Sequence, residues 1–237
     1  QKKCAIEQGY PKNKIFVVPE AVNGNIFKPE YFNYDIDIYK DFRFKFIIFG
    51  RWEYRKSTKE IIETFLKTFR KDEPVDLIIS VDNEWSNDGF KNTEERLKTF
   101  NLTDDRIKIV HFLSREDYIS YLKNGHVFLS CSRSEGWNLP LIEAMACGTP
   151  SIYSNCSGQL EFAEGKGHPV KIIGETSSGG IGNFYEPDFN DLSNVMRDVY
   201  INYWKYKNRA IKESEIIRNN FSWNNAADKA LDILKNI

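Results

Sequence analysis

Two glutamates, Glu135 and Glu143, stand eight positions apart in the stretch CSRSEGWNLPLIEAMACGTP, residues 131–150. A carboxylate accepts hydrogen bonds from hydroxyl groups. The first amides of a helix lack internal partners and carry partial positive charge, so a helix beginning between the two glutamates would offer an anion site there. Gly136 removes the Cβ that would hold a ligand off the backbone. Glu143, about one turn into such a helix, leans back toward the same mouth. Two acceptors of hydroxyl protons flanking an anion site suit a sugar joined to a phosphate.

The elements that must position these groups are legible nearby. Asn138 is a good N-cap and Pro140 is tolerated in a first turn, while Leu139, Ile142, Met145 and Ala146 recur at helical spacing. Gly148 suits the left-handed residue that ends a helix, and Thr149-Pro150 stops its continuation. HVFLSC, residues 126–131, reads as the strand that delivers this loop-to-helix elbow.

A second set of chemical groups lies upstream. FRFKFIIFG, residues 42–50, has the aromatic and β-branched content of a buried strand. A helix is expected from Ser57, with Ser57-x-x-Glu60 as a capping box and Ile61, Ile62, Phe65, Leu66 and Phe69 as its buried stripe. Between them runs Gly50-Arg51-Trp52-Glu53-Tyr54-Arg55-Lys56, at the carboxyl end of a strand, where α/β sheets bind ligands. A guanidinium can fork two phosphate oxygens and a lysine supplies a movable point charge, so Arg51 and Lys56 are candidate diphosphate ligands. Arg55 reads as a spare, solvated cation.

The pattern Glu-Gly-aromatic-x-Leu-Pro-x-x-Glu-Ala-x-Ala-x-Gly-x-Pro closely resembles the Glu-x7-Glu motif of retaining GT-B glycosyltransferases, most like glycosyltransferase family four within the glycosyl transferases group 1. Two departures are visible: Asn138 where Gly is usual, which places a side chain near the expected diphosphate, and Trp137 where Phe is usual. The 50–57 loop resembles the family's Gly-Arg…Lys-Gly segment, in which the Arg and the Lys hold the donor's diphosphate; Ser57 replaces the Gly. The resemblance implies donor contacts from Gly50, Arg51, Lys56, Glu135, Gly136, Trp137, Asn138, Leu139 and Glu143. It also implies nucleotide-base contacts from the backbone at Phe112 and Leu113, where the strand RIKIVHF, residues 106–112, turns. KIFVVP, residues 14–19, followed by Ala21, Asn23 and Phe27-Lys28-Pro29, resembles the family's interdomain junction, so residues 1–23 are expected as linker and first strand. Residues 24–222 are then the donor-binding domain and 223–237 a C-terminal helix.

Elsewhere, β-rich runs alternate with helical patterns, the signature of βαβ units and a parallel sheet. Residues 30–41 are expected as a surface loop, DLIISV (76–81) and SIYSN (151–155) as strands, and residues 94–100 and 115–124 as helices, the latter with Tyr118, Tyr121 and Leu122 inward. The Gly- and Ser-rich stretch 164–182 reads as a loop around a short β-like run, and its Gly165-Lys166-Gly167 completes no phosphate-binding fingerprint. Three helices close the chain; Ser222 is expected to cap the last, whose Trp223, Ala227, Ala230, Leu231 and Leu234 should face inward. The fold class is therefore α/β, a Rossmann-like parallel sheet flanked by helices, and the resemblance implies the C-terminal half of a GT-B fold.

Composition narrows the function classes. The 237 residues, 41% of them hydrophobic, can bury a sizeable core. A net charge of −1 gives no electrostatic case for nucleic acid. No apolar run approaches membrane-spanning length, Gln1 begins no signal peptide, and the absent initiator Met suggests a fragment. The four cysteines, Cys4, Cys131, Cys147 and Cys156, show no Cys-x-x-Cys pairing, so reduced thiols in a cytoplasmic setting are expected. His111 reads as structural.

The expected function is donor binding in a retaining transferase that moves a sugar from a UDP- or GDP-linked donor, with no cofactor and no metal. Glu135, Arg51 and Lys56 are the expected catalytic groups: Glu135 holds hydroxyls of the transferred sugar and the two cations hold the diphosphate, while Glu143 holds the ribose. The acceptor would bind a missing N-terminal domain, without which the fragment is expected to be inactive; membrane association through that half is left open. The alternatives are a non-catalytic nucleotide-sugar binding module and a sugar-nucleotide epimerase of GT-B architecture.

Overall fold

The structure is a computed structural model that describes residues 2–30, 43–85, 88–179 and 182–236. The surface loop expected over 30–41 lies, after Glu30, outside them. In chain order the elements are α1 (Lys2–Glu7), β1 (Phe44–Phe49), α2 (Thr58–Thr68), β2 (Val75–Ser80), α3 (Thr93–Thr99), β3 (Ile107–Ile109), α4 (Arg115–Asn124), β4 (Val127–Ser130), α5 (Leu139–Ala146), β5 (Ser151–Ser154), α6 (Leu160–Ala163), β6 (His168–Val170), β7 (Ile172–Ser177), β8 (Asn183–Pro187), α7 (Phe189–Ile201), α8 (Tyr203–Asn220) and α9 (Trp223–Lys235).

Six strands form one sheet in the order β3-β2-β1-β4-β5-β6, all parallel. This is the doubly wound Rossmann order, in which the direction of winding reverses between β1 and β4 and a ligand crevice opens past the carboxyl ends of those two strands. The loops leaving them are 50–57 and 131–138, the two segments singled out by their chemistry.

Period-two alternation builds both faces. Phe46 and Ile48 of β1 join one buried cluster with Val127 and Leu129 of β4, under Ile61, Ile62 and Phe65 of α2. Ile47 and Phe49 point the other way and pack with Phe128, Leu141, Ile142 and Met145. A strand buried on both faces reads as a continuous apolar run, which is why FRFKFIIFG carried so clear a signal. Truncating one of these fully buried aromatics to Ala costs about 3–5 kcal/mol.

Several expectations are corrected. The strand expected at residues 14–19 does not form: Lys12–Lys14 make a single 3-10 turn, residues 15–20 are outside regular structure, and Phe16, Val17 and Val18 stay 48%, 42% and 44% exposed. A β-branched run needs a ladder partner, and here the pairing comes later, as one parallel bridge from Val22 to Ser222. The loop expected over 164–182 contains β6 and β7; β7 pairs antiparallel with β8. Ser222 caps α9 as expected, accepting from the Asn225 amide. The inward stripe does not hold: Ala226 is buried, whereas Trp223, Leu231 and Leu234 are 57%, 52% and 70% exposed.

Candidate functional site

Glu135 lies in the loop after β4. Its carboxylate accepts from Lys56 Nζ at 2.5 Å and from Arg55 Nη1 at 3.0 Å, and its side chain is 6% exposed. The backbone of that loop is fixed as well: the Glu135 amide donates to Ser157 Oγ at 3.0 Å, and the Gly158 amide donates to the Glu135 carbonyl at 3.0 Å. Gly158 must be glycine here, because a Cβ would sit 2.0 Å from the Gly136 carbonyl oxygen.

Lys56 and Arg55 belong to a 3-10 turn, Tyr54–Lys56, whose tightness swings both cations toward Glu135. The expectation of a solvated Arg55 is thus corrected: it bridges Glu135, the Ser134 carbonyl at 2.9 Å and Glu53 at 3.1 Å. Arg51 is placed differently. Its side chain is 58% exposed and reaches Glu53 at 3.9 Å, and it lines a small cavity with Gly50, Lys56, Thr58, Ser130 and Ser132. Ser132 Oγ is buried there with no hydrogen-bond partner.

The residue after the turn, Ser57, has φ 53°, the left-handed region that favours the glycine of the resembling family. In that conformation its hydroxyl cannot cap α2, and the expected capping box is absent. Ser57 Oγ instead accepts from Arg133 Nη1 at 3.0 Å, and Glu60 accepts from Arg133 Nη2 at 3.1 Å.

Arg133 is the residue that sequence reasoning missed. It is 3% exposed; its guanidinium also donates to the Tyr54 carbonyl at 2.8 Å and to both oxygens of Glu186 at 2.9 and 3.0 Å. It sits 4.0 Å over the Tyr54 ring. The carboxylates of Glu186 and Glu60 hold it charged against the opposing effect of burial. One side chain thereby ties the 54–57 turn, the end of β4 and β8 into a single unit.

Asn138 has φ 83°, so the position asks for the glycine of the resembling motif. The expectation that the Asn138 side chain caps α5 is corrected. Its amide points into the sheet, donating to Ser130 Oγ at 2.8 Å and to Gln159 Oε1 at 2.7 Å. The helix N-terminus is left with no side-chain cap and with Pro140, which has no amide to satisfy, in its first turn. Gly136 and Leu139 are exposed beside it. The ring of Trp137 packs at 5.2 Å from Phe162 and 5.9 Å from Phe221, partly buried against the second core cluster. At the far end Gly148 takes φ 67° as the spacing predicts.

Glu143 faces α4. Its carboxylate accepts from the Tyr118 hydroxyl at 2.5 Å; burial pushes its pKa up, against the opposing hydrogen bond from Tyr118 and the charge of Arg115. Tyr118 lines a cleft of about 470 Å³ together with Gly50, Asp82, Phe112, Leu113, Arg115 and Pro140. Phe112 and Leu113, the residues expected to contact a base, are thus both on the wall of this cleft. Gly50 lines both this cleft and the small cavity beside Lys56, so the surroundings of the two glutamates meet at the end of β1. His111, 59% exposed, is held by Asp82 at 2.8 Å and Glu94 at 3.1 Å, and its proton is stabilised chiefly by the Asp82 hydrogen bond. Among the described residues no cluster of three or more His, Cys, Asp or Glu is placed to hold a metal ion. No helix among them is long and apolar enough to cross a membrane.

Comparison with known proteins returns a consistent set. The family model described as glycosyl transferases group 1 matches residues 38–174. The probable sucrose-phosphate synthase of Thermosipho melanesiensis is 26% identical over 232 residues, 95% of this chain and 49% of that protein. A phosphatidylinositol N-acetylglucosaminyltransferase subunit of Arabidopsis thaliana is 24% identical over 162 residues, 68% of this chain and 34% of that one. Among solved structures, HepE of Anabaena, in complex with UDP-glucose, superposes with a TM-score of 0.79 at 16% identity, over 100% of this chain and 61% of that one. This chain spans about half the length of the first of these curated relatives.

Proposed function

We propose that this chain, which belongs to the glycosyl transferases group 1 family, is the donor-binding part of a retaining transferase that moves a sugar from a nucleoside diphosphate to an acceptor held by a second domain. The observation that carries the reading is the cluster of Lys56, Arg55 and Glu135 beside the uncapped start of α5, at the switch point of a doubly wound sheet. The complexes of HepE with UDP-glucose and with UDP support a nucleotide-sugar as the ligand class, and UDP- and GDP-linked donors both fit the reading.

In this reading Lys56 and Arg51 hold the diphosphate together with amides at the start of α5, Glu135 accepts from hydroxyls of the transferred sugar, and Glu143 accepts from the ribose. As the glycosidic bond breaks, negative charge builds on the departing diphosphate. Cations and amides already aimed at that position stabilise it more than the ground state, and no metal is needed for that part. Lys56 is paired with Glu135, so a diphosphate that binds Lys56 competes with that carboxylate. A glycosidase pairing of the two glutamates would leave the cations without a task.

Titration calorimetry with UDP, GDP and their sugars tests the reading on the wild type and on Arg51→Ala/Lys56→Ala. Loss of two charged phosphate contacts should weaken binding by at least about tenfold. Affinity unchanged in the double variant would remove the phosphate assignment.

A further inference from the structure

We infer that Tyr118 is a positioning residue for the ribose side of this site, fixing Glu143 through the 2.5 Å hydrogen bond between its hydroxyl and one carboxylate oxygen, and that it sets a preference for ribonucleotides over nucleotides lacking the ribose diol. The inference rests on the donor reading above and extends it to a residue outside the motif.

The geometry carries it. Glu143 is one turn into α5, and a glutamate there has three rotatable bonds with which to wander. Tyr118, from α4, removes that freedom. Its ring is itself held, edge-on to Phe27 at a centroid distance of 6.4 Å and tilted against Phe49 at 5.4 Å, so its hydroxyl has a defined direction. A carboxylate has about four lone-pair sites. The tyrosine hydroxyl occupies one on Oε2, and the other oxygen remains an acceptor. The same hydroxyl, donating to Glu143, keeps its own lone pairs available. Two adjacent acceptors at fixed separation match a vicinal diol, which presents two donors side by side. Tyr118 lines the 470 Å³ cleft whose other walls include Gly50, Phe112 and Pro140, the last in the first turn of the helix that carries Glu143, and that space is large enough for a nucleoside.

The electrostatics agree. Burial raises the Glu143 pKa, while the Tyr118 hydrogen bond and the Arg115 charge, both from α4, lower it toward its ordinary value. Just past the end of its own helix, Cys147 is the titratable neighbour, and its thiol is kept neutral by burial, with a pKa of about 12. The tyrosine thus helps keep the carboxyl an acceptor.

The test compares UDP and GDP with their 2′,3′-dideoxy counterparts by calorimetry, on the wild type and on Tyr118→Phe. The wild type should prefer the ribonucleotide by about tenfold or more, the scale of a charge-assisted hydrogen bond. In Tyr118→Phe the preference should shrink to within about threefold, the affinity for the dideoxy form should not change, and the acid limb of ribonucleotide binding should move to higher pH. A variant that keeps the wild-type discrimination, or weakens equally for both forms, would overturn the inference. Glu143→Gln guards against a misfolded tyrosine variant: it should also lose the discrimination, and its retention there overturns the inference independently. A wild type that binds the dideoxy and ribose forms equally refutes the inference and leaves the phosphate assignment standing. A wild type that binds neither UDP nor GDP instead removes the donor reading, and this inference with it.

Discussion

Lys56 Nζ and Glu135 Oε1 lie 2.5 Å apart across 79 residues of sequence. The cation expected to hold phosphate and the carboxylate expected to hold sugar form an ion pair with each other. An unpaired carboxylate as buried as Glu135 would be costly, and the ion pair with Lys56 offsets that cost.

Arg55 shares that carboxylate but is 36% exposed, against 17% for Lys56. Solvent screening weakens the more exposed pair. Arg55→Ala should therefore lower nucleotide-sugar affinity by about threefold and Lys56→Ala by tenfold or more. Calorimetry on the two single variants checks the ranking, and a larger loss for Arg55→Ala would reverse it.

Arg133→Ala strands Glu60 and Glu186 and removes the donor that Ser57 and the Tyr54 carbonyl share. Because both carboxylates keep some access to water, the expected loss is about 2–3 kcal/mol rather than the upper end for a broken buried pair. Arg133→Lys should recover less than half of it, since an ammonium cannot fork both oxygens of Glu186. Urea midpoints decide it, and full recovery by lysine would show that charge alone matters.

Gly158→Ala forces a methyl into the Gly136 carbonyl, so one of the two turns must move. The loop carrying Glu135 hangs on that contact. Stability should fall by about 2 kcal/mol or more, with nucleotide-sugar affinity falling alongside. A thermal melt unchanged from wild type would mean that the turn yields freely.

His168 is buried against Tyr206, at a ring distance of 4.3 Å, and burial, with the charge of Arg209 beside it, lowers its pKa to about 4. The unfolded chain takes up a proton near the ordinary value of 6.5, so between pH 6.5 and 4 it binds a proton that the fold refuses. Stability from this group is fully present above pH 6.5 and declines as pH falls toward 4, by at most about 3 kcal/mol. Glu143, raised by burial, acts in the opposite direction. Denaturant midpoints of wild type and His168→Gln at pH 7 and pH 4.5 should converge in acid; parallel curves would exclude the effect.

Glu135, Lys56 and Gly148 were legible because local chemistry constrained them: a motif, a loop at a strand's carboxyl end, a helix stop. Arg133 was not, because in sequence it is one more charged residue, and its partners Tyr54, Ser57, Glu60 and Glu186 lie 53 to 79 positions away. Ser57 and Asn138 carried the signal of a left-handed backbone only through the glycines of the resembling family; read as cap residues they misled, since capping needs an extended φ that neither has.

By itself, then, the chain's order of residues determined the alternating apolar runs that make a parallel sheet, the loops that must leave its carboxyl ends, and the residue types gathered in them. Those follow from local periodicity and backbone preference. The tertiary structure decided which cation meets Glu135, that Glu143 answers to Tyr118 instead of sharing that ion pair, and that the apolar stripe of α9 is left largely exposed. Such choices depend on the directions of side chains brought together from distant strands, and no spacing along the chain encodes a direction in space.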